Sequence, residues 1–197
     1  MPYESSVRHR KSIRLPGYDY TQPGSYFVTI VTHRRECAFG EITNGVMRLN
    51  EWGKIVAECW SAIPDHYCDV VIDEFIVMPN HIHGIIVICE NGAKPAHPVG
   101  ATQWVAPTKT GSHAEQEIRR GKTTIVSNSI GSMVGQIKSI TTKRINQIRN
   151  TRGAPVWQRN YWEHIIRNDG ELSRIREYIR NNPAQWNTDI ENIRHPA

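Results

Sequence analysis

The sequence has few cysteines and no long apolar run. Its 197 residues include four cysteines, scattered without a Cys-x-x-Cys pair. This scatter argues against a zinc knuckle and, in a chain of this size, against a disulfide framework. We expect the cysteines to be buried as small apolar side chains. No apolar run approaches the roughly 18 residues that a membrane span needs, so no membrane partner is predicted.

A secretory signal is also missing from the sequence. The first residues, MPYESSVRHRKSIR, carry basic side chains, but no apolar stretch of about 7–15 residues follows them. The expected location is therefore the cytoplasm. A mass of 22.6 kDa suits one domain with a substantial hydrophobic core.

Positive charge is in excess and clustered. The net charge is +5, and residues 1–35 hold six Lys or Arg against two acids. Residues 138–180 hold ten Lys or Arg against four acids. Clusters of this kind are typical of nucleic-acid binders, although a merely solvated surface also produces them.

The hydrophobic pattern predicts an α+β fold, with helices packed on one antiparallel sheet. Asn44-Gly45 predicts a hairpin turn, and Pro79-Asn80 joins two strands at 69–78 and 81–89. The other predicted elements are a strand at 25–33, helices at 50–63, 127–150 and up to Pro183, and a short strand at 161–167. We divide the chain into a basic arm (1–24), a single domain (25–186) with a flexible insert (90–127), and a tail (187–197).

His81 and His83 lie one residue apart in the apolar stretch VMPNHIHGIIVI. Side chains at i and i+2 of a strand point to the same face, about 7 Å apart along the backbone. The two imidazoles could therefore converge on one metal ion, or they could be ordinary polar strand residues. Two histidines leave a metal incompletely coordinated, so a third protein ligand is expected.

The last predicted helix offers candidates for that site. Tyr178 and Asn182 are spaced i, i+4 and share a helical face. An Asn amide oxygen suits Mg²⁺ or Mn²⁺, and a tyrosine beside a metal is a candidate covalent nucleophile. Helical periodicity alone favours packing on the sheet for Tyr178, and it does not choose Tyr178 over Tyr26 or Tyr161.

The segments VMPNHIHGIIVI, VGQIKSITTKRIN and VWQRNYWEHIIRNDGELSRIREYIRNNPAQW occur in this order. Together they resemble the single-tyrosine transposases with an HUH motif (histidine, hydrophobic residue, histidine), and most closely the REP-associated tyrosine transposases. The resemblance covers most of residues 12–186 apart from the insert. It implies a ferredoxin-like sheet with helices on one face.

The same resemblance implies the roles of individual residues. His81 and His83 would bind Mg²⁺ or Mn²⁺, Asn182 would be the third ligand, and Tyr178 would be the nucleophile. The implied activity is cleavage and strand transfer of single-stranded or hairpin DNA through a 5′-phosphotyrosine. An inactive structured-DNA-binding protein of the same fold and a small zinc hydrolase stay open as alternatives, as does the choice between monomer and homodimer.

Basic side chains are the predicted DNA contacts. The candidates are Arg8, Arg10, Lys11 and Arg14 in the arm and Lys138 and Lys143 in the middle helix. For each of them a solvated position is the alternative. Trp157, Tyr161 and Trp162 could stack on bases, although core packing is the more ordinary role for such residues.

Overall fold

The computed structural model describes residues 18–90 and 128–192. Arg8, Arg10, Lys11 and Arg14 lie outside these residues, as does the predicted insert apart from Glu90. The strands are β1 (Gly24–Val31), β2 (Gly40–Thr43), β3 (Val46–Leu49), β4 (Val70–Val77), β5 (His81–Ile88) and β6 (Trp162–Ile166). The helices are α1 (Glu51–Ser61), α2 (Ile63–His66), α3 (Ile130–Ile148) and α4 (Asp169–Asn181), with 3-10 turns at His33–Arg35 and Trp186–Thr188.

The main sheet is antiparallel, and its strand order is β4-β5-β1-β6. Helix α1 connects β1 to β4 and helix α3 connects β5 to β6, which gives the βαββαβ arrangement of a ferredoxin-like fold. The predicted α+β class is thus confirmed. Strands β2 and β3 form a separate two-stranded sheet rather than part of the main one.

Local sequence signals account for several element boundaries. Asn44 and Gly45 both have positive φ, 53° and 74°, as the two-residue hairpin between β2 and β3 requires. Asn50 caps α1 by accepting a hydrogen bond from the Gly53 amide at 2.9 Å. Ser129 and Asn168 cap α3 and α4 in the same way.

The two faces of the sheet bury separate hydrophobic clusters. Even-numbered residues of β5, such as Ile82 and Ile86, pack with α1 and α3 in the larger cluster. On the opposite face Phe27, Ile85 and Ile166 pack with Ile179 of α4. The prediction of helices on one face is therefore wrong for α4, because its own apolar stripe covers the face that α1 and α3 leave open.

The edge strand β4 contains a register shift between Ile72 and Phe75. This bulge holds Asp73 and Glu74, which are both buried, at the point where α4 crosses the strand. The prediction for the cysteines is only partly met, since Cys37 and Cys68 are exposed while Cys59 and Cys89 are partly buried. No helix among the described residues has the length and apolar character needed to cross a bilayer.

Candidate metal and tyrosine site

His81 and His83 project from β5 onto the face that α4 covers. Both are buried, and their ring centroids are 4.4 Å apart. The central position of β5 in the sheet fixes them, with His83 paired to Thr29 and His81 to Val31 of β1. The period-two spacing therefore brings the two imidazoles together on one side of a rigid strand.

Hydrogen bonds at Nδ1 orient both rings. The amide oxygen of Asn80 lies 2.8 Å from Nδ1 of His81, and Thr29 Oγ1 lies 2.8 Å from Nδ1 of His83. Asn80 is itself held by donating through Nδ2 to the backbone oxygens of Arg35 and Glu191. Since an amide oxygen can only accept, Nδ1 of His81 carries the proton and Nε2 keeps its lone pair.

Burial keeps both imidazoles neutral. Desolvation lowers the pKa of His81 to about 4, although Asp189 and Asn182 oppose that effect. Desolvation also lowers the pKa of His83 well below its usual value, and neighbouring His81 lowers it further. Neutral imidazole is the form that binds metal ions.

Buried acceptor atoms without hydrogen-bond donors lie at the histidine pair. Among the described residues, Nε2 of His81 and Oδ1 of Asn182 are buried with no hydrogen-bond partner. Candidate ligand atoms of His81, His83 and Asp189 lie within 4.8 Å of one another. Buried acceptors are normally paired, so an imidazole nitrogen and an amide oxygen left without donors beside a carboxylate fit a divalent cation.

Asn182 reaches this cluster from the end of α4. It keeps helical backbone angles, φ −56° and ψ −41°, although Pro183 follows and normally disfavours them. Its Nδ2 donates to Oδ2 of Asp189 at 2.7 Å, which leaves Oδ1 toward the site. The helical conformation keeps Asn182 one turn beyond Tyr178, as the i, i+4 spacing predicted.

Tyr178 lies at the open side of the cluster. Its hydroxyl is 3.2 Å from Nε2 of His83, and its side chain is partly exposed. Burial raises the pKa of Tyr178, and the carboxylates of Asp189 and Glu191 raise it further. The charged side chains that act on the phenol here are therefore acidic.

Asp189 is the site residue that sequence reasoning missed, because the predicted tail began at residue 187. The segment after α4 turns back through the 3-10 turn Trp186–Thr188 and packs on the histidines. Arg35 holds it through an ion pair with Glu191, while Asn80 binds the Glu191 backbone. The pattern WNTDIEN gives no periodic signal, and its carboxylates were the only available hint.

The predicted DNA contacts on α3 lie on the helix layer opposite the histidine face. The Lys138 ammonium donates to the backbone oxygens of Gln158 and Asn160, each at 2.9 Å. Burial lowers the pKa of Lys138 to about 8. Lys143 is exposed. Phosphate contact by either lysine stays a prediction, and for Lys138 the structure provides partners within the protein.

Comparison with known proteins identifies relatives of the chain. No family model matches it. An uncharacterized protein of Haemophilus influenzae is 40% identical over 188 residues, and the alignment covers 95% of each chain. A second protein of that organism, described as "Putative REP-associated tyrosine transposase", is 23% identical over 168 residues, which is 85% of this chain and 74% of its own.

A solved structure has the same fold. It is described as the structure of the REP-associated tyrosine transposase bound to a REP hairpin. The TM-score is 0.52 at 17% identity, and the superposition covers 86% of this chain and 72% of that chain. The likeness shows that the two proteins share a fold.

Proposed function

The chain belongs to one family with the Haemophilus influenzae protein that is 40% identical to it and resembles the REP-associated tyrosine transposases, whose fold it has, and from this premise we propose that it cuts and rejoins single-stranded DNA at hairpin-forming sequences. The resemblance seen in the motifs MPNHIH and YIRNNP is thereby confirmed. The chemistry assigned below goes further than the resemblance and is our proposal.

One observation carries the proposal, namely the contact between the Tyr178 hydroxyl and the histidine cluster. A partly exposed phenol lies 3.2 Å from a buried imidazole nitrogen, beside acceptors that have no proton donor. A purely structural tyrosine would leave those acceptors unexplained. A nucleophile placed against a cation site accounts for both features.

His81, His83 and Asp189 would hold the divalent cation, and Oδ1 of Asn182 supplies a further oxygen. Two imidazoles with carboxylate and amide oxygens suit Mn²⁺ or Mg²⁺. When bound, the cation polarises the scissile phosphate and stabilises the charge that develops on it. Asn80 and Thr29 orient the two imidazole rings through Nδ1, so that Nε2 of each ring would be the atom available to the ion.

Tyr178 would attack the scissile phosphorus in line. The new bond joins its Oη to phosphorus, while the bond from phosphorus to the 3′ oxygen breaks. The phenol proton passes to solvent at the open side of the site, and the leaving oxygen takes up a proton to give a free 3′-OH. The 5′-phosphotyrosine linkage conserves the energy of the broken phosphodiester bond, so a 3′-OH can later reverse the reaction and join a strand.

A hairpin flanked by single strand is the proposed substrate. The fold relative was solved with a REP hairpin, and an unpaired strand can bring one phosphate to a recessed site. The clustered positive charge at 138–180 supports an anionic partner. Binding by the arm residues Arg8, Arg10, Lys11 and Arg14 is part of the same proposal.

The decisive experiment incubates the full chain and Tyr178→Phe with labelled hairpin-bearing single-stranded DNA and Mn²⁺. We expect the wild type to nick the DNA and to form a covalent adduct that mass spectrometry maps to Tyr178. Tyr67→Phe is the matched control. It also removes a tyrosine hydroxyl, which donates to Gln136 of α3 on the opposite side of the sheet. This variant should cut DNA normally.

Each alternative predicts a different outcome of this assay. An inactive structured-DNA-binding protein would bind the hairpin, and neither protein would form an adduct. A small zinc hydrolase would show zinc-dependent turnover that Tyr178→Phe leaves intact. Equal behaviour of the wild type and Tyr178→Phe would therefore rule out strand transfer by this tyrosine.

A further inference from the structure

Trp162 lies on the same sheet face as the proposed catalytic residues. It pairs with Thr29 of β1, which pairs in turn with His83 of β5. Residues directly opposite one another in neighbouring strands point to the same face. Two strand spacings separate the backbones of Trp162 and His83, about 10 Å.

Trp162 differs from the other aromatics of its segment in being open to solvent. Trp157 is buried, and its indole N–H donates to Thr141 at 2.8 Å. Tyr161 donates to Glu163 at 2.7 Å. Trp162 is 39% exposed, close to the 38% of Tyr178, and its indole has no hydrogen-bond partner among residues 18–90 and 128–192.

The Trp162 ring is nevertheless held in one orientation. It lies parallel to the His164 ring, at 5.8 Å between centroids and an angle of 4°. His164 is fixed by a 2.7 Å contact with Glu171 in the first turn of α4. Phe27, the cross-strand partner of His164, also contacts the Trp162 ring edge to face, at 5.5 Å between centroids. A ring already ordered in this way loses little freedom when a ligand stacks on it.

Phe27 contacts both the Trp162 ring and the ring of Tyr178, the proposed nucleophile. Its ring is 6.1 Å from the Tyr178 ring and 5.4 Å from the His83 ring. An aromatic row therefore runs across the sheet from Tyr178 through Phe27 to Trp162. A strand with one phosphate at Tyr178 would bring a neighbouring base over this row.

Two exposed arginines lie close to β6. Arg159 and Arg167 are exposed just before and just after the strand that carries Trp162. Exposed aromatic rings flanked by cations are typical of single-strand binding surfaces, where bases stack and phosphates meet Arg or Lys.

We propose that Trp162 is a stacking subsite for an unpaired nucleobase next to the scissile phosphate. The inference rests on the proposed function for its substrate class and on the β6 geometry for its position. It assigns the base to stacking rather than to hydrogen-bond readout, because the ring offers a π-face. The subsite should therefore tolerate any of the four bases.

The test measures binding rather than cleavage and uses the full chain carrying Tyr178→Phe, so that DNA stays uncut. Fluorescence anisotropy gives Kd for hairpin-bearing single-stranded DNA. A second series replaces each unpaired nucleotide in turn by an abasic one. We expect Trp162→Ala to weaken binding about 5- to 150-fold, the range found for single base–aromatic stacks.

The subsite predicts a specific non-additivity. At one position of the DNA, an abasic nucleotide should weaken binding to the parent protein, which retains Trp162. The same abasic nucleotide should have little further effect on the Trp162→Ala protein. Trp162→Phe should retain most of the affinity, whereas Trp162→Leu fills space without a π-face and should not. Trp52→Ala, on α1 at the opposite face, is the control and should leave Kd unchanged.

Two outcomes would overturn the subsite. One is a folded Trp162→Ala or Trp162→Leu protein that binds like its parent. The other is a set of abasic effects that simply add to the effect of Trp162→Ala at every position. Failure of the unsubstituted chain to cut DNA would contradict the proposed chemistry alone, because these binding measurements require no cleavage.

Discussion

Arg176 holds Asp73 in a forked ion pair, with Nε 3.0 Å from Oδ1 and Nη2 2.5 Å from Oδ2. Asp73 is buried in the β4 bulge, and Arg176 lies two residues before Tyr178 on α4. Two residues after Tyr178, Arg180 binds the buried Glu74 in the same bulge. The helix that carries the proposed nucleophile is thus attached to the sheet on both sides of it.

We therefore expect Asp73→Asn to destabilise the protein strongly. Asn in place of the buried carboxylate loses at least one of the charge-assisted hydrogen bonds from Arg176, and such bonds contribute about 1.5–3 kcal/mol. The measurement is the free energy of unfolding in urea. The matched control is Glu58→Gln, which breaks the exposed pair with Arg144 and should cost about 0–1 kcal/mol. Equal losses from the two variants would show that the bulge pair does not anchor α4.

Metal affinity should depend on residues that do not touch the ion as well as on the ligands. Asn80→Ala removes the acceptor that orients His81, and such changes commonly lower metal affinity about 10- to 100-fold. Asp189→Asn should weaken binding as well, by removing a negative ligand. Calorimetric titration of the DNA-free chain with Mn²⁺ measures both effects.

The control for the metal titration is Asn50→Ala. This variant removes the cap of α1 on the opposite helix layer and should leave Mn²⁺ affinity unchanged. If Asp189→Asn bound Mn²⁺ like the wild type, the ligand set would consist of the histidines and Asn182 without the carboxylate.

The stability of the metal-free chain should fall in mild acid. The pKa of His81 is lowered to about 4 in the folded protein, against about 6.5 in the unfolded chain. Between these values the unfolded state binds more protons, so stability rises with pH and is lost as pH falls through this window. A single buried histidine changes the free energy of unfolding by up to about 1.4 kcal/mol per pH unit within this window.

Urea unfolding with EDTA at pH 7, 6 and 5 would measure this slope. His81→Gln should flatten it, while His66→Gln, at an exposed histidine, should not change it. An unchanged slope in His81→Gln would contradict the assignment of the acid loss to this residue.

Period and spacing predicted the part of the site that lies within regular structure. His81 and His83 are two apart in a strand, and Tyr178 and Asn182 are four apart on a helix, so local geometry fixes each pair. How the two pairs face each other depends on α4 covering the sheet face that α1 and α3 leave open. The hydrophobic periodicity of α4 does not indicate which face of the sheet the helix covers. Only the resemblance to the transposase family linked Tyr178 to the histidines.

Contacts between segments distant in sequence were beyond prediction. Asp189 reaches the histidines because the chain turns back after α4 and is held by Arg35 through Glu191. Lys138 has the spacing of a solvated helix residue, yet its ammonium binds the 158–160 loop. Both outcomes depend on contacts distant in sequence, which composition and spacing do not encode.

The proposed site is assembled within a single chain, which leads to a last prediction. Tyr178 contacts His83 of its own chain, and α4 is anchored to β4 of that chain by the ion pairs that Arg176 and Arg180 make with buried carboxylates. A mixture of Tyr178→Phe and His83→Ala should therefore stay inactive in the nicking assay, even where light scattering detects dimers. Cleavage restored by mixing would mean that α4 is exchanged between subunits, since only then could an intact tyrosine meet an intact histidine pair.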